Sequence, residues 1–373
     1  MFRVRLPSIV TALLALVPPR CRANPPSVST NIFAPVSTPA HDVHELSLFV
    51  LLITAGIFSS VSALLIFVLV RYRRRSGDTT EPPQVFGSTQ IELAWTIIPI
   101  LLITVLFLGT ARIIFAIQDA PKPKSAVDVI AIGHQFWWEF RYPQYNVVTA
   151  NELHIPQSTD GAPRPTFLKL TSADVIHSFW VPRLGGKTDL LPNRVNEMWF
   201  DPHQPGVYPG QCAQFCGLEH AKMLLRVYVD PPDKFDAWIH SQQQPQANGL
   251  SISSPEPHGP PLPDPPPRDA EIANLQQASL DVSARAGKQV FERQACINCH
   301  TVQGTIANGR FGPDLTHLMS RDTLGAGIIK NTPENLQRWI TDPNDFKQGT
   351  LMPAMHLTDR QNAQITAYLL TLH

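Results

Sequence analysis

The sequence has no net charge, few charged side chains and few cysteines. Only 16% of its 373 residues are charged, and 30 basic residues balance 30 acidic ones. Overall charge therefore gives no support to a nucleic-acid partner, which would require a basic surface. The five cysteines are an odd number and four of them lie in two close pairs, each followed by a histidine. This pattern argues against a disulfide framework and favours metal chemistry.

Proline, in contrast, is about twice as frequent as in an ordinary globular protein, and its distribution is uneven. Residues 241–268 are rich in Gln, Pro, Ser and Gly and end in a run of prolines up to Pro267. Such a segment cannot bury a core, so we predict an extended, semi-rigid linker at 241–268 between two folded units.

The N-terminus has the pattern of an export signal. Basic residues come first, a short apolar run spans 9–17, and small residues follow near Ala23. Because this run is too short to cross a membrane, we predict a signal peptide at 1–23. An uncleaved N-terminal segment is the alternative, and a lipid-modified Cys21 is disfavoured by the bulky Pro19 and Arg20 that precede it.

Two longer apolar runs, 46–70 and 91–115, predict a transmembrane helical hairpin within residues 42–118. Each is long enough for a hydrocarbon core of about 30 Å. The loop between them begins with the basic cluster Arg71-Tyr72-Arg73-Arg74-Arg75, which predicts that the loop is cytoplasmic and that all residues after Phe115 lie outside. Glu92, at the entrance of the second run, is either an interfacial residue or a functional carboxylate.

Residues 125–240 are predicted to form an all-β domain. Short alternating runs at 127–132, 166–170 and 224–229 indicate strands, and Pro, Gly and Asn separate them. Such a series of strands is typical of a β-sandwich or barrel.

Near the end of this domain, two thiols, an imidazole and a thioether occur within twelve residues: Cys212, Cys216, His220 and Met223. Soft sulfur donors with imidazole favour copper or zinc, and a thioether favours copper over zinc. His177 can supply a second imidazole from another loop. Two cysteines at this spacing can bridge two coppers, and a disulfide between them is the alternative.

A second redox motif follows the linker: Cys296-Ile297-Asn298-Cys299-His300. This spacing is typical of covalent c-type haem attachment, with the histidine as axial ligand. Zinc knuckles and thiol redox pairs share part of the motif. Met352 is a candidate for the sixth iron ligand, since a thioether opposite histidine suits electron transfer. Helices are predicted at 284–292 and 359–370.

From Asp42 to Trp238 the sequence resembles cytochrome c oxidase subunit II with its CuA domain. Besides the copper motif, the shared segments are 91–99, 134–138, 177–179, 187–189, 205–208 and 210–212. The resemblance implies a cupredoxin fold and a binuclear copper site. Its ligands would be the bridging Cys212 and Cys216, the terminal His177 and His220, the weakly bound Met223 and the backbone carbonyl of Gln214.

Residues 284–373 resemble a class I cytochrome c, within a domain predicted at 280–373. In that family the Met of a Met-Pro pair binds iron, which selects Met352 over Met355, and the carbonyl of Pro313 would orient His300. The domain order is that of the caa-type haem–copper oxidases. The predicted fold is therefore multi-domain, with a two-helix transmembrane hairpin, an all-β cupredoxin domain and an all-α class I cytochrome c domain.

Two positions depart from the family pattern. Gln214 stands where a glutamate usually helps to bind magnesium at the junction with subunit I, so a magnesium contact is not expected to carry over. Phe136 stands where a tryptophan usually receives electrons from a soluble donor. Glu92, in contrast, matches the family's glutamate at the entry of a proton pathway.

The function implied is electron transfer in a proton-translocating terminal oxidase of a bacterial-type cytoplasmic membrane. Electrons would enter at haem c and pass through CuA to subunit I, with subunit III as a further partner. An upstream cytochrome or quinol-oxidising complex would be the donor.

A nitrous-oxide or nitric-oxide reductase component is disfavoured because the 13 histidines are scattered. A tethered carrier without an oxidase is disfavoured by the paired helices and Glu92.

Overall fold

The computed structural model describes residues 30–73, 77, 81, 84, 86–244 and 267–373. The predicted signal peptide, Arg74 and Arg75 of the basic cluster, and most of the predicted linker lie outside the described residues.

Two long helices precede the rest of the fold, α1 (Thr38–Arg71) and α2 (Thr89–Gln118). With 34 and 30 residues they are about 51 and 45 Å long at 1.5 Å per residue, which exceeds a hydrocarbon core of about 30 Å. Both are long and apolar enough to cross a membrane, and their most apolar windows are not buried within the protein. Pro99 lies inside α2 without ending it.

The start of α1 and the end of α2, which both lie away from the basic cluster, are hydrogen-bonded to the β-domain. The Thr38 amide at the start of α1 donates to Asp201 Oδ1 at 2.7 Å. The indole of Trp199 donates to the carbonyl of Ile117, at the end of α2, at 2.8 Å. The β-domain therefore lies at the opposite end of the hairpin from Tyr72 and Ser88, which flank the two helices.

The β-domain has ten strands in two sheets. They are β1 (Val127–His134), β2 (Trp137–Tyr142), β3 (Val147–Ala150), β4 (Glu152–Pro156), β5 (Thr166–Ser172), β6 (His177–Trp180), β7 (Thr188–Leu190), β8 (Asn196–Phe200), β9 (Gly206–Cys212) and β10 (Leu224–Asp230). One sheet has the order β3-β2-β1-β5-β8 and the other β4-β10-β9-β6-β7. The pairs β1–β5 and β4–β10 are parallel and the other pairs are antiparallel. All three predicted strands are present.

The core lies between these sheets because alternate side chains of each strand point inward. In β1 every second residue from Val127 is buried, and β10 alternates in the same way. Large aromatic side chains fill the centre: Trp138, Phe140, Tyr142, Phe179 and Phe200.

Helix α3 (Pro232–Gln243) closes the β-domain by burying Phe235 and Ile239. It continues three residues into the segment predicted as linker. The reason is packing: Gln242 in its last turn is also buried and donates to Ser320 of the C-terminal domain at 3.1 Å.

The C-terminal domain is mainly helical. Its helices are α4 (Pro267–Arg293), α5 (Cys296–Cys299), α6 (Pro333–Thr341) and α7 (Asp359–Leu369), and β11 (Thr323–Leu324) pairs with β12 (Ile329–Lys330). Helices α4 and α7 cross so closely at Gly287 that a Cβ there would lie 1.8 Å from the carbonyl oxygen of Gln364. The predicted multi-domain fold is confirmed. The β11–β12 hairpin is an addition to the C-terminal domain, which was predicted to be all-α.

Candidate metal centres

The predicted copper donors converge at one end of the β-domain. The sulfurs of Cys212 and Cys216 are 3.9 Å apart. His177 Nδ1 lies 3.9 Å from the first sulfur, and His220 Nδ1 lies 3.7 Å from the second. Each sulfur thus has its own imidazole neighbour, although His177 and Cys212 are 35 residues apart in the chain.

Two weaker donors complete this cluster. Met223 Sδ lies 3.8 Å from Cys216 Sγ, and the carbonyl oxygen of Gln214 lies 3.2 Å from Cys212 Sγ. Cys212, Cys216, Met223 and His177 are buried, with at most 4% of their surface exposed. The set comprises two thiols, two imidazoles, a thioether and a carbonyl, which is the soft donor chemistry that copper prefers.

Both cysteines are free thiols in the structure, although a disulfide was the alternative from sequence. The contact with the Cys216 thiol, reinforced by His177, lowers the pKa of Cys212. The same contact, together with burial, raises the pKa of Cys216. Ionisation of Cys212 to the thiolate, the form that binds metals, is therefore favoured over ionisation of Cys216.

His177 is oriented by a carboxylate that the sequence analysis did not single out. Its Nε2 lies 2.7 Å from Asp174 Oδ1. Asp174 is itself held by the backbone amides of Gln135 and Val175, both at 2.6 Å. If Nε2 carries the proton, Nδ1 presents its lone pair to the cysteines, as in many metal sites with a carboxylate–histidine pair. The three-residue spacing was the signal that could have identified Asp174.

The ring of His177 also depends on a glycine in β1. A Cβ at Gly133 would lie 2.7 Å from His177 Cδ2 and 3.0 Å from its Cγ. Any side chain there would displace the imidazole from its place beside Cys212.

The haem motif occupies a single turn of helix and the residue after it. Cys296 and Cys299 begin and end α5, and both are half-buried free thiols. The neighbouring His300 has its Nδ1 2.8 Å from the carbonyl oxygen of Pro313, the contact expected from the resemblance. Burial lowers the pKa of His300, so its neutral form is favoured, with Nε2 available as an axial ligand.

A cavity opens beside this motif and suits a bound haem. Its lining includes Cys296, Cys299 and His300 together with both Met352 and Met355. Met319 instead packs against the core of the C-terminal domain, as expected. The geometry brings both candidate methionines to the cavity and leaves the choice of Met352 as a prediction.

The same cavity is also lined by residues of the β-domain: Gln135, Phe136, Trp137 and Asn151. Phe136 is only 8% exposed, and the Gln135 side chain donates to the backbone carbonyl of Cys216 at 2.6 Å. A single residue therefore joins the cavity to a candidate copper ligand. Nothing in the sequence pattern indicated that the two sites share this segment.

Glu92 lies far from both sites, in the first turn of α2. Its side chain is exposed in the isolated chain. Because the other end of α2 is bonded to the β-domain, Glu92 lies at the end of the hairpin remote from that domain.

Three family models match the chain. The transmembrane domain of cytochrome c oxidase subunit II matches residues 26–111, its periplasmic domain matches residues 127–229, and cytochrome c matches residues 284–373. The matches follow the order of hairpin, β-domain and helical C-terminal domain.

Curated relatives match over nearly the whole chain. Cytochrome c oxidase subunit 2 of Alkalihalophilus pseudofirmus is 33% identical over 343 residues, covering 91% of this chain and 89% of that protein. The protein of the same name from Bacillus sp. (strain PS3) is 33% identical, covering 81% of this chain and 80% of its own length. That of Bacillus subtilis is 29% identical and covers 96% of this chain and 95% of its own length.

Proposed function

This chain belongs to the cytochrome c oxidase subunit II family and is a membrane-anchored electron-transfer subunit of a terminal oxidase, and on that premise we propose how it works. Electrons enter at a covalently bound haem c and leave through a binuclear copper CuA centre toward the oxygen-reducing subunit I. Electron flow through the whole complex is coupled to proton translocation.

The observation that carries the copper proposal is the pairing of donors around two sulfurs. Each sulfur has one imidazole and one weaker donor beside it, with distances of 3.2–3.9 Å. A single blue-copper site needs only one cysteine, so the second sulfur and second imidazole support two coppers. Cys212 and Cys216 would bridge them, His177 and His220 would be terminal ligands, and Met223 and the Gln214 carbonyl would bind weakly.

Bound in this way, the copper pair supplies a one-electron acceptor whose bond lengths change little on reduction. The protein contributes burial and rigidity. Cys212 ends β9 and Met223 immediately precedes β10, and the amide of Cys212 donates to the Met223 carbonyl at 2.9 Å. The segment 212–223, which carries five of the six donors, is thus tied together at its base.

At the haem site, Cys296 and Cys299 would form the two thioether bonds, and His300 and Met352 would be the axial ligands. Pro313 orients the imidazole through its carbonyl. A histidine–methionine pair gives a raised reduction potential, which suits an acceptor for electrons from an upstream cytochrome or quinol-oxidising complex.

The orientation proposed places the copper and haem domains on the outer side of a bacterial-type cytoplasmic membrane. Arg71 and Arg73 lie next to the loop between the helices, and basic loops are retained in the cytoplasm. Glu92 then lies on the cytoplasmic side, where protons are taken up. We propose it as an entry residue of a proton pathway into subunit I, with subunit III as a further partner.

Spectroscopy of the full chain, matured with copper and haem, tests this proposal. We expect the EPR signal of a mixed-valence copper pair together with the optical spectrum of a low-spin c-type haem. A mononuclear copper signal would contradict the bridging role of the two cysteines. A haem removable by acid and organic solvent would contradict covalent attachment.

A further inference from the structure

Lys347 is buried where the C-terminal domain meets the β-domain. Only 3% of its surface is exposed, which is unusual for a lysine. Among the described residues no carboxylate oxygen lies within 4.0 Å of its Nζ. Burial lowers its pKa to about 7, which reflects the cost of placing a cation there.

The ammonium group instead donates to three backbone carbonyls. Its Nζ lies 2.7 Å from the oxygen of Phe136, 2.9 Å from that of Lys222 and 3.3 Å from that of Gly325. An ammonium has three N–H donors, so all of its donor capacity is used. Two of the acceptors belong to the β-domain and one to the C-terminal domain.

The two β-domain acceptors belong to the segments that flank the candidate copper site. Lys222 lies between the candidate ligands His220 and Met223. Phe136 follows Gln135, whose side chain donates to the carbonyl of Cys216. In return, Lys222 Nζ donates to the carbonyl of Phe346 at 3.1 Å. The contact is therefore reciprocal, with a lysine from each domain bonded to the backbone of the other.

The segment that carries Lys347 also leads to the candidate haem ligand. The Lys347 amide donates to Pro343 at 2.9 Å, and its carbonyl accepts from the amide of Thr350 at 3.1 Å. Met352 follows two residues later. Fixing Lys347 therefore fixes the start of the methionine loop relative to the copper loop.

A second contact prevents rotation about this point. Glu152, in β4, is 2% exposed and accepts from the amide of Asp322 at 3.0 Å and from the hydroxyl of Thr323. Tyr228 donates its hydroxyl to Asp322 Oδ2 at 2.6 Å. Two separate sets of bonds thus define one relative orientation of the domains, although the chain between them is long.

We propose that Lys347 is a positioning residue that holds the haem-binding cavity against the copper loop, so that electron transfer from haem to copper occurs within one docked geometry. This inference rests on the proposed function. It adds that Phe136 is covered by the chain's own C-terminal domain, so a soluble donor has to reduce the haem rather than approach copper at Phe136.

The test uses the full chain in its oxidase complex and compares Lys347→Met with Lys330→Met, an exposed lysine of the same domain. After flash reduction of the haem, copper reduction is followed optically. Because electron transfer slows steeply as the distance between the two centres grows, we expect Lys347→Met to slow the transfer severalfold. The copper and haem spectra should be retained, and Lys330→Met should match the wild type. An unchanged rate in Lys347→Met would overturn the proposal.

A measurement on the wild type covers the case in which the variant does not fold. Brief acetylation of the native complex, mapped by mass spectrometry, should modify Lys330 and leave Lys347 unmodified. Equal modification of the two lysines would overturn the docked geometry. A wild-type complex without copper and haem signals would contradict the proposed function instead. The acetylation pattern would still test whether Lys347 is buried between the two domains.

Discussion

The candidate copper site draws its donors from β6, β9 and the loop before β10, whereas the candidate haem site places three donors in five consecutive residues. The copper site therefore exists only when β6, β9 and β10, which are distant in the chain, have assembled into one sheet. The haem motif is local, and only its sixth ligand is supplied from a distant loop. We expect the copper site to depend on remote residues that position it, and the haem attachment to tolerate changes elsewhere.

The largest effect is expected from Cys212→Ser. Serine cannot bridge two coppers as a thiolate does, so the mixed-valence EPR signal should be lost completely together with oxidase turnover. The haem spectrum should remain, because no haem donor lies in the β-domain. Loss of haem along with copper in Cys212→Ser would show that the two sites are not independent.

Met352→Ala should abolish low-spin methionine ligation while leaving the haem covalently attached. The thioether is replaced by a methyl group that cannot bind iron, so the optical and EPR spectra should become high-spin or show a replacement ligand. Met355→Ala, which changes the other methionine of the cavity, should be spectrally unchanged. The opposite result would assign the sixth ligand to Met355.

Asp174→Asn should weaken copper binding without removing a ligand. The carboxylate orients His177, and loss of such a partner typically lowers metal affinity by about 10- to 100-fold. Competition with a copper chelator measures the change. Asp160→Asn, at an exposed position of the same domain, is the control. Equal copper retention in both variants would mean that packing against Gly133 alone positions the imidazole.

The smallest effect is expected from Glu152→Gln at the domain interface. The variant should change the free energy of unfolding by about 1 kcal/mol or less, since glutamine still offers one acceptor. Burial raises the pKa of Glu152 above 4.5, so the folded state favours the protonated form. Wild-type stability relative to the variant should therefore be greatest below about pH 4.5 and decline as pH rises through the folded pKa. Thermal unfolding of both proteins across this pH range measures the stability difference. A difference that does not vary with pH would contradict the raised pKa of Glu152.

Much of this organisation could be predicted from the sequence because its signals are local. Apolar length predicts α1 and α2, alternation predicts strands such as β1 and β10, and the CxxCH motif predicts the haem donors. The convergence of His177 with the cysteines needed the family resemblance, since spacing along the chain does not show which strands become neighbours.

The contacts between domains could not be predicted in this way. Lys347 is an ordinary lysine in the sequence, and its role arises because the fold brings three carbonyls to one point. Gln135 is equally inconspicuous, and it reaches Cys216 across 81 residues of chain. Backbone acceptors leave no residue-type signal, so interfaces made from them are visible only in the structure.

Electrons are proposed to pass from haem to copper within one chain. Flash reduction of the haem in the wild-type complex, with copper followed optically at several protein concentrations, tests it most directly. We predict copper reduction at a single first-order rate that depends neither on protein concentration nor on added soluble cytochrome c. A rate that rises in proportion to added cytochrome, with no copper reduction in its absence, would contradict the account.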